Sequence, residues 1–328
     1  MKTEDFDLVI IGGGPGGLTA GMYASRARRN TLLIEKAAPG GQILMTDWME
    51  NYPGFPEGLT GFDLVQKMKK QAEKFGLALE SNEVMSLDLT GPVKTIHMTD
   101  RSITAYAVIL ATGATPIKLG VPGEGKFFGR GVSTCATCDA PFYKGRTVVA
   151  VGGGDTAVQE SLYLTKFAKK VYLVHRRDQL RATKILQERI LENDRVEILW
   201  DSALTEINGF NTIEHVKVEN IRTQETTTLP VEGCFVWVGT FPNTGFLNGA
   251  ITLDPSGYIV ADAHMETSVP GVFAVGDVRD TPLRQVATAV GDGAIAATSA
   301  DHYIDEVKAR MGHGNRPAPE TFAAAVQA

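Results

Sequence analysis

Short apolar runs and amphipathic helical patterns alternate along the chain. The first apolar run covers residues 6–11, a helical pattern follows at 18–28, and a second apolar run covers 31–34. Short apolar runs beside glycine-rich turns are typical of strands that are buried on both faces of a parallel sheet. The pattern therefore predicts a β-α-β unit that opens an α/β domain.

A glycine-rich turn joins this first strand to its helix. Residues 12–17 read GGGPGG, which fits the G-x-G-x-x-G pattern of dinucleotide-binding turns. The first glycine permits a tight turn, the second lets a pyrophosphate approach the backbone, and the third lets the helix pack on the strand. A carboxylate at the end of the second strand can accept hydrogen bonds from ribose hydroxyls. The residues predicted to surround this nucleotide are Gly12, Gly14, Pro15, Gly17 and Glu35.

The same unit recurs 140 residues later, with Gly152 in the place of Gly12 and His175 in the place of Glu35. Apolar runs at 147–151 and 171–174 flank a helical pattern at 158–167. The second turn fits G-x-G-x-x-A and predicts a second nucleotide site. Its residues are Gly152, Gly154, Asp155, Thr156 and Ala157.

The two units differ at the end of the second strand. Glu35 is replaced by His175-Arg176-Arg177, and Arg181 follows about one helical turn later. Arginine presents a fixed fork of donors that binds a ribose 2′-phosphate, whereas a carboxylate repels one. The second site is therefore predicted to bind NADP(H).

The rest of the chain predicts further elements of both types. Helical patterns cover 62–75, 184–193 and 285–311; β-rich stretches cover 77–106 and 196–229; buried strands are predicted at 108–111, 234–238 and 272–275. Two stretches rich in Gly and Pro are predicted as linkers, at 113–125 and 241–245, and the chain from 315 onward is expected to be poorly ordered.

Two linkers and two glycine turns indicate a discontinuous arrangement. We expect residues 1–115 and 246–328 to form the first domain, and residues 116–245 to form a second domain inserted into it. A chain of 328 residues is long enough for about two domains.

Composition excludes several classes of protein. A net charge of −6 disfavours nonspecific binding to nucleic acid or to an anionic membrane surface. No apolar stretch is long enough to span a bilayer, and the N-terminus lacks the pattern of a signal peptide. Three cysteines are too few for a secreted disulfide framework. These features predict a cytoplasmic protein.

Two of the three cysteines form a Cys-x-x-Cys motif, Cys135 to Cys138, followed directly by Asp139. Such a pair can form a redox-active disulfide, and the adjacent carboxyl group can act as general acid or base for a thiolate. Half of a four-ligand zinc site has the same sequence, but the chain has no second cysteine pair. Cys234 lies in an apolar run and is predicted to be a small buried residue.

These features together resemble the low-molecular-weight, bacterial-type thioredoxin reductases. The most specific blocks are residues 129–139, 175–182 and 276–278 with Arg284 and Gln285. The resemblance implies an α/β fold with two Rossmann-like, three-layer domains of the two-dinucleotide-binding flavoprotein type, the second inserted in the first. It also implies a homodimer, with FAD in the first domain and NADPH in the second.

The resemblance further implies a thioredoxin-disulfide reductase. Electrons pass from NADPH to FAD, then to the Cys135–Cys138 disulfide, and finally to the disulfide of thioredoxin. The flavin reduces Cys138, Cys135 attacks thioredoxin, Asp139 donates or accepts the proton, and the inserted domain rotates between the two half-reactions. Beyond the first glycine turn, the implied FAD residues are Gly41, Gln42, Asn51, Val84, Thr112, Gly113, Asp277, Arg284, Gln285 and Val286.

The sequence departs from this family at three positions. Ala140 replaces a common Gly, Thr240 replaces a common His, and Val286 replaces a common Ala. The change at Thr240 puts a contact near the cofactor in doubt. Other interpretations stay open: ferredoxin as donor, a different dithiol protein or small disulfide as acceptor, or a noncatalytic nucleotide- or metal-binding protein. The second glycine turn and the arginines disfavour another donor, but nothing in the sequence fixes the acceptor.

Overall fold

The computed structural model describes residues 4–46 and 49–312, without the side chains of Glu4, Met45, Thr137 and Cys138. The α-helices are α1 Pro15–Arg26, α2 Gly61–Lys74, α3 Glu124–Phe127, α4 Ala136–Asp139, α5 Asp155–Leu164, α6 Lys184–Leu191 and α7 Val286–Arg310. Short 3-10 helices cover Gly41–Met45, Ala140–Tyr143, Gly245–Leu247 and Gly276–Val278. The prediction about residues 315 onward lies outside the described residues.

The strands are β1 Glu4–Ile11, β2 Thr31–Glu35, β3 Ala78–Ser81, β4 Val84–Asp88, β5 Lys94–Met98, β6 Ser102–Leu110, β7 Ala114–Pro116, β8 Val132–Ser133, β9 Thr147–Gly152, β10 Lys170–Val174, β11 Val196–Leu199, β12 Ser202–Asn208, β13 His215–Asn220, β14 Thr226–Pro230, β15 Gly233–Trp237, β16 Thr240–Pro242 and β17 Val272–Ala274.

The first sheet has the order β3-β2-β1-β6-β5-β4, and β17 also pairs with β6. The second half of β6 pairs in parallel with β17, whereas its first half pairs antiparallel with β5. One face of the sheet packs against α1, α2 and α7 through a core that includes Leu8, Leu18 and Phe273. The carboxyl ends of its parallel strands therefore meet at one edge, where α1 begins.

The second sheet has the order β11-β10-β9-β15-β8, with all neighbours parallel. One face packs against α5 and α6 through residues such as Val158 and Ile190. The other face packs against a three-stranded antiparallel sheet, β12-β13-β14, through Val216 and Val218. Three layers result, and the predicted fold class of two Rossmann-like units is confirmed.

The two chain crossings between these sheets pair with each other. Strands β7 and β16 form an antiparallel ribbon in which Phe241 lies opposite Thr115. The predicted linkers at 113–125 and 241–245 lie at the crossings, and each contains all or part of a short strand that the sequence analysis did not predict. The two strands are far apart in sequence, so their pairing leaves no local signal.

The long helix α7 is fixed at its start and again near its middle. Gln285 and Thr288 form a capping box at its start, which satisfies backbone donors of the first turn. Gly293 lies so close to α1 that an added Cβ would be 2.3 Å from the carbonyl oxygen of Gly16. None of the described helices is both long and apolar enough to cross a lipid bilayer.

Candidate functional site

The first glycine turn is shaped as a cradle for a phosphate. Gly12 has φ +108°, and a Cβ there would lie 2.2 Å from the carbonyl oxygen of Ala111. A Cβ at Gly17 would lie 2.0 Å from the carbonyl oxygen of Gly12, so both positions require glycine. In contrast, the space around Gly14 is open, and α1 begins there at Pro15 with no side-chain cap. The uncapped N–H groups of a helix start favour an anionic group.

Glu35 lies beside this turn. The Gly13 N–H donates to Glu35 Oε2 at 2.7 Å and the Ala37 N–H donates to Oε1 at 2.9 Å. The carboxylate is thereby held at the carboxyl edge of the sheet, where ribose hydroxyls of a bound dinucleotide would lie. Asn82, two residues before Val84, donates its backbone N–H to the carbonyl of Glu35, which brings the start of β4 to the same edge.

The loop at residues 40–42 closes over the cradle. Gly40 N–H donates to the carbonyl of Gly13 at 2.8 Å, and a Cβ at Gly41 would lie 3.4 Å from the Cα of Gly14. The Gln42 amide donates to the carbonyl of Ala114 at 3.1 Å. These contacts join the cradle to the first residue of the β7–β16 ribbon.

The segment before α7 completes the first site. Asn51 Nδ2 donates to Gln285 Oε1 at 3.0 Å, one residue before the helix starts at Val286. The Arg284 guanidinium lies over the Tyr258 ring at 4.0 Å, and its Nε is buried without a hydrogen-bond partner in the described part of the chain. A buried donor without a partner is costly, which fits a site that receives a hydrogen-bonding ligand.

Asp277 lies in the 3-10 helix that follows β17. Burial raises the pKa of its carboxyl group, the positive charge of Arg284 lowers that pKa, and Asp292 raises it. Thr112 and Gly113 follow β6, the strand next to β17; Thr112 Oγ1 donates to the Asn243 carbonyl at 2.9 Å, and Gly113 accepts from the Asn243 N–H at 3.0 Å. The first set of predicted residues therefore lies along one edge of the first sheet.

The second glycine turn repeats the geometry of the first. Gly152 has φ +154°, and a Cβ there would lie 2.5 Å from the Ala157 Cβ and from the Trp237 carbonyl oxygen. The space around Gly154 is open, and α5 begins at Asp155 with no side-chain cap. Thr156 is exposed at this helix start. A second cradle for a phosphate results.

His175 takes the position against its turn that Glu35 takes in the first unit, because a Cβ on Gly153 would lie 2.3 Å from its ring. The ring is only 5% exposed, and Nε2 is hydrogen-bonded to the Gln179 carbonyl at 2.9 Å. Burial lowers the pKa of His175 below its ordinary value. The imidazole is therefore neutral at pH 7 and shapes the loop without adding charge.

The three predicted arginines surround this buried histidine. Arg176, Arg177 and Arg181 are all exposed. None of their guanidinium groups forms an ion pair with a carboxylate in the described part of the chain, and the neighbouring Asp178 pairs instead with Arg222 at 3.2 Å. The three cations are therefore free to bind an anion beside the second cradle.

Cys135 lies between the two cradles in sequence, directly before α4. Its side chain is 6% exposed and is disulfide-bonded. Its N–H donates to Ser133 Oγ at 3.0 Å, and its carbonyl accepts from the Asp139 N–H at 3.3 Å. The Cys138 side chain lies outside the described part, so the predicted pairing with Cys135 stays a prediction. The half-buried Asp139 ends α4.

Cys234 is a fully buried free thiol in β15, as predicted. Burial, and to a lesser extent the charge of Glu124, raises the pKa of this thiol far above its ordinary value. A protonated, buried thiol is unreactive, so Cys234 is no rival to Cys135. In the described residues, no group of three His, Cys, Asp or Glu side chains is placed to hold a metal ion.

Sequence reasoning missed residues that hold the site together. Asn243 Nδ2 donates to the Thr112 carbonyl at 2.8 Å, and Asn243 Oδ1 accepts from Thr115 at 2.7 Å. Trp237 donates its indole N–H to the Thr134 carbonyl at 3.0 Å, next to Cys135. The only sequence signal for these contacts is a polar or aromatic residue at the end of a predicted strand, which is too common to be specific.

Comparison with known proteins decides the family. Residues 6–293 match the pyridine nucleotide-disulphide oxidoreductase family. A thioredoxin reductase from Peptoclostridium acidaminophilum is 46% identical over 306 residues, which are 92% of this chain and 97% of that protein. The chain belongs to the thioredoxin reductase family.

Solved structures of other thioredoxin reductases agree with this placement. The crystal structure from Lactococcus lactis, described as the FR conformation, superposes with a TM-score of 0.90 at 42% identity and covers 92% of this chain and 99% of that one. The structure from Streptococcus pyogenes is 46% identical and covers 93% and 100%, yet its TM-score is 0.63.

FAD and NADPH are the cofactors of thioredoxin reductases, and the chain uses both. The two cradles fit these groups on structural grounds. Each has a helix start without a side-chain cap and open space at its second glycine. The first also offers the buried, unpartnered Nε of Arg284, and the second offers three unpaired arginines, all within the described part of the chain.

Proposed function

We propose that this chain is an NADPH-dependent flavoprotein that reduces the disulfide of a thioredoxin through Cys135 and Cys138. The observation that carries the proposal is a disulfide-bonded, barely exposed cysteine in a chain with two nucleotide cradles. Its partner is proposed to be Cys138, because the chain has three cysteines and Cys234 is free.

The two cofactors are assigned by the charges beside each cradle. We assign FAD to the first, where Glu35 can accept hydrogen bonds from a ribose but would repel a 2′-phosphate. We assign NADPH to the second, where Arg176, Arg177 and Arg181 can hold the 2′-phosphate. When bound, FAD supplies the two-electron chemistry that links NADPH oxidation to reduction of the disulfide.

The protein's own part in the reaction is thiol–disulfide exchange. The Cys135 thiolate attacks one sulfur of the thioredoxin disulfide, forming a mixed disulfide and releasing the other sulfur as a thiolate. Asp139 is proposed to give that thiolate its proton. Cys138 then gives up its proton and attacks the Cys135 sulfur of the mixed disulfide, which restores the internal disulfide and expels the second thioredoxin sulfur as a thiolate. That sulfur takes up the released proton, so thioredoxin leaves as a dithiol. Two electrons have then passed from the enzyme dithiol to thioredoxin.

The proposed division of the chain places FAD on residues 1–115 and 246–328, and NADPH on residues 116–245. We propose that the second domain rotates against the first between half-reactions. The Lactococcus lactis and Streptococcus pyogenes structures are similarly identical to this chain and cover nearly all of it, yet their TM-scores differ widely. This difference supports a family in which two rigid domains adopt more than one relative arrangement.

The proposal includes a homodimer in the cytoplasm. Apolar side chains stand exposed on three helices of the first sheet, at Tyr23 (40%), Phe62 (58%) and Ile295 (42%), which supports association through this face. Thioredoxin keeps thiols reduced in the cytosol, which supports that compartment. The net charge of −6 argues against nucleic acid or an anionic membrane as partner.

The test is the substitution Cys135→Ser in the FAD-loaded protein. NADPH is expected to bleach the flavin as in the wild type, whereas reduction of thioredoxin falls to background because the attacking thiolate is gone. Stopped-flow absorbance and a thioredoxin-coupled NADPH assay measure the two steps separately. Cys234→Ala is the matched control and keeps thioredoxin reduction. If Cys135→Ser also abolished bleaching, or kept thioredoxin reduction, the proposal would fail.

A further inference from the structure

The loop that carries the arginines is hydrogen-bonded directly to the second glycine turn. We define residues 175–183 as the arginine loop. The N–H groups of Arg181 and Ala182 donate to the Gly153 carbonyl at 2.7 and 3.2 Å. The Thr183 N–H donates to Asp155 Oδ1 at 2.6 Å. The end of the loop that carries Arg181 is therefore tied to the same turn that forms the phosphate cradle.

Side chains on either side fix the remaining backbone of the loop. The Gln187 amide of α6 donates to the carbonyls of Leu180 and Ala182 at 3.3 and 2.6 Å. The buried His175 ring is bonded to the carbonyl of Gln179. The backbone of the loop is thus ordered before any ligand binds, while the three guanidinium groups stay exposed.

Asp155 binds the arginine loop through its side chain, whereas Gly153 binds it through its backbone carbonyl. Asp155 is the first residue of α5, where the helix dipole stabilises the negative charge of its carboxylate. The first unit has Pro15 at the equivalent position, which offers no acceptor. The unit that has Asp155 in place of Pro15 is also the unit that has His175 and the arginines in place of Glu35.

We propose that Asp155 is a positioning residue for recognition of the ribose 2′-phosphate, and that it acts through the Thr183 N–H rather than by touching the nucleotide. A carboxylate next to a phosphate site would by itself weaken phosphate binding. We therefore explain the presence of Asp155 by its hydrogen bond to the arginine loop. A charge-assisted hydrogen bond keeps the arginine loop at a fixed distance from the cradle. The guanidinium groups then lose less freedom when they bind a 2′-phosphate. This inference rests on the proposed assignment of NADPH to the second cradle.

The test compares two small probes, adenosine 2′,5′-bisphosphate and adenosine 5′-monophosphate, on the FAD-loaded protein by calorimetry. The probes differ only by the 2′-phosphate, so the ratio of their dissociation constants isolates its recognition. Asp155→Ala is expected to lower this ratio about tenfold, the effect of one hydrogen bond to a charged group. Any direct effect of the lost charge on the 5′-phosphate is common to both probes and cancels.

A second variant removes the same hydrogen bond from the other side. Thr183 has φ −58°, which suits proline, so Thr183→Pro deletes the N–H donor and leaves Asp155 in place. It is expected to lower the ratio as Asp155→Ala does. Asp155→Asn keeps an oxygen acceptor and should keep most of the ratio, and Thr183→Val keeps the N–H and should match the wild type. In turnover, the loss appears in KM for NADPH and not in KM for NADH.

The outcomes separate this inference from the function on which it rests. If wild type binds both probes equally, the second cradle does not recognise a 2′-phosphate and the NADPH assignment fails. If wild type discriminates and both Asp155→Ala and Thr183→Pro keep the full ratio, the assignment stands and the proposed role of Asp155 is wrong.

Discussion

Asp277 is a predicted cofactor-binding residue with a shifted carboxyl pKa. It lies where the parallel strands of the first sheet end, and burial raises its pKa against the opposing charge of Arg284. The residue is half-buried, and withdrawing a carboxylate from water costs free energy unless the carboxylate is paired. As a predicted cofactor-binding residue, Asp277 is expected to lower the stability of the protein when no cofactor is bound.

Whether the Asp277 carboxylate stabilises or destabilises the fold can be measured in the FAD-free protein. The pKa of Asp277 is higher in the folded protein than in the unfolded chain, so the unfolded chain loses the Asp277 proton at lower pH. The folded state therefore loses stability as pH rises from the unfolded pKa to the folded pKa. Asp277→Asn should therefore raise the melting temperature at pH 7. The gain should vanish below about pH 4, where both states of the wild type are protonated. A variant less stable than wild type at pH 7 would show that the carboxylate is favourably paired.

At the scale of elements, the crossing of α1 and α7 brings the glycine turn and the segment before α7 to one place. The helices approach backbone to backbone, since a Cβ on Gly293 would lie 2.3 Å from the Gly16 carbonyl oxygen. Arg279 and Gly276 both donate to the buried Asp292 carboxylate, which fixes α7 against the segment that carries Asp277. The position of α7 thus sets the position of several predicted FAD residues.

Two glycines two positions apart on α7 provide a test of this crossing. Gly293→Ala should lower the free energy of unfolding by about 1–3 kcal/mol, because backbone atoms cannot move aside easily. Gly291 faces open space, so Gly291→Ala should raise it by about 1 kcal/mol through helix propensity. Urea unfolding of both variants measures the difference. Equal effects would mean that the helices can separate without cost.

The sequence was sufficient to predict those helices and strands whose hydrophobic pattern lies within a short stretch of the chain. The predicted helices at 62–75 and 285–311 became α2 and α7, and the apolar run at 6–11 became β1. In the structure, Thr60 caps the start of α2, and Gln285 and Thr288 form the capping box at the start of α7. The repeat of the glycine turn also predicted two similar cradles, because Gly12, Gly17 and Gly152 are required by contacts within their own units.

Contacts between distant parts of the chain were not predictable in this way. The pairing of β7 with β16 joins residues whose local composition indicates turns. The burial of His175 beneath Gly153 depends on how strand and turn pack, which the alignment with Glu35 does not reveal. The bond from Thr183 to Asp155 likewise joins two segments that the sequence places in separate elements.

At the scale of the whole molecule, an ion pair bridges the two proposed domains away from the ribbon. Arg189 Nη1 on α6 lies 2.5 Å from Glu50 Oε1, close to the Asn51 contact with Gln285. The two side chains line a cavity of about 410 Å³ with residues of α5 and α6. Both are about half exposed, and an exposed pair of this kind is worth only about 0.2–1 kcal/mol.

Such a small energy would still shift the proposed equilibrium between two domain arrangements, by up to about fivefold. Charge reversal in Arg189→Glu should therefore speed one half-reaction and slow the other. The double variant Glu50→Arg with Arg189→Glu restores the attraction and should return both rates toward wild type. Rapid-mixing measurements of flavin reduction and of thioredoxin reduction give the two rates. Parallel changes in both rates would exclude a shift between arrangements.

The β7–β16 ribbon bears on how such a chain came to exist. Thr112 and Asn243, the points of departure and return, are hydrogen-bonded to each other. A guest segment whose two ends meet can be spliced into a host gene without reordering any host strand, and it can be exchanged for another in the same way. The first cradle lies outside the segment that we propose to be inserted, so the two halves of the chain can have separate ancestry.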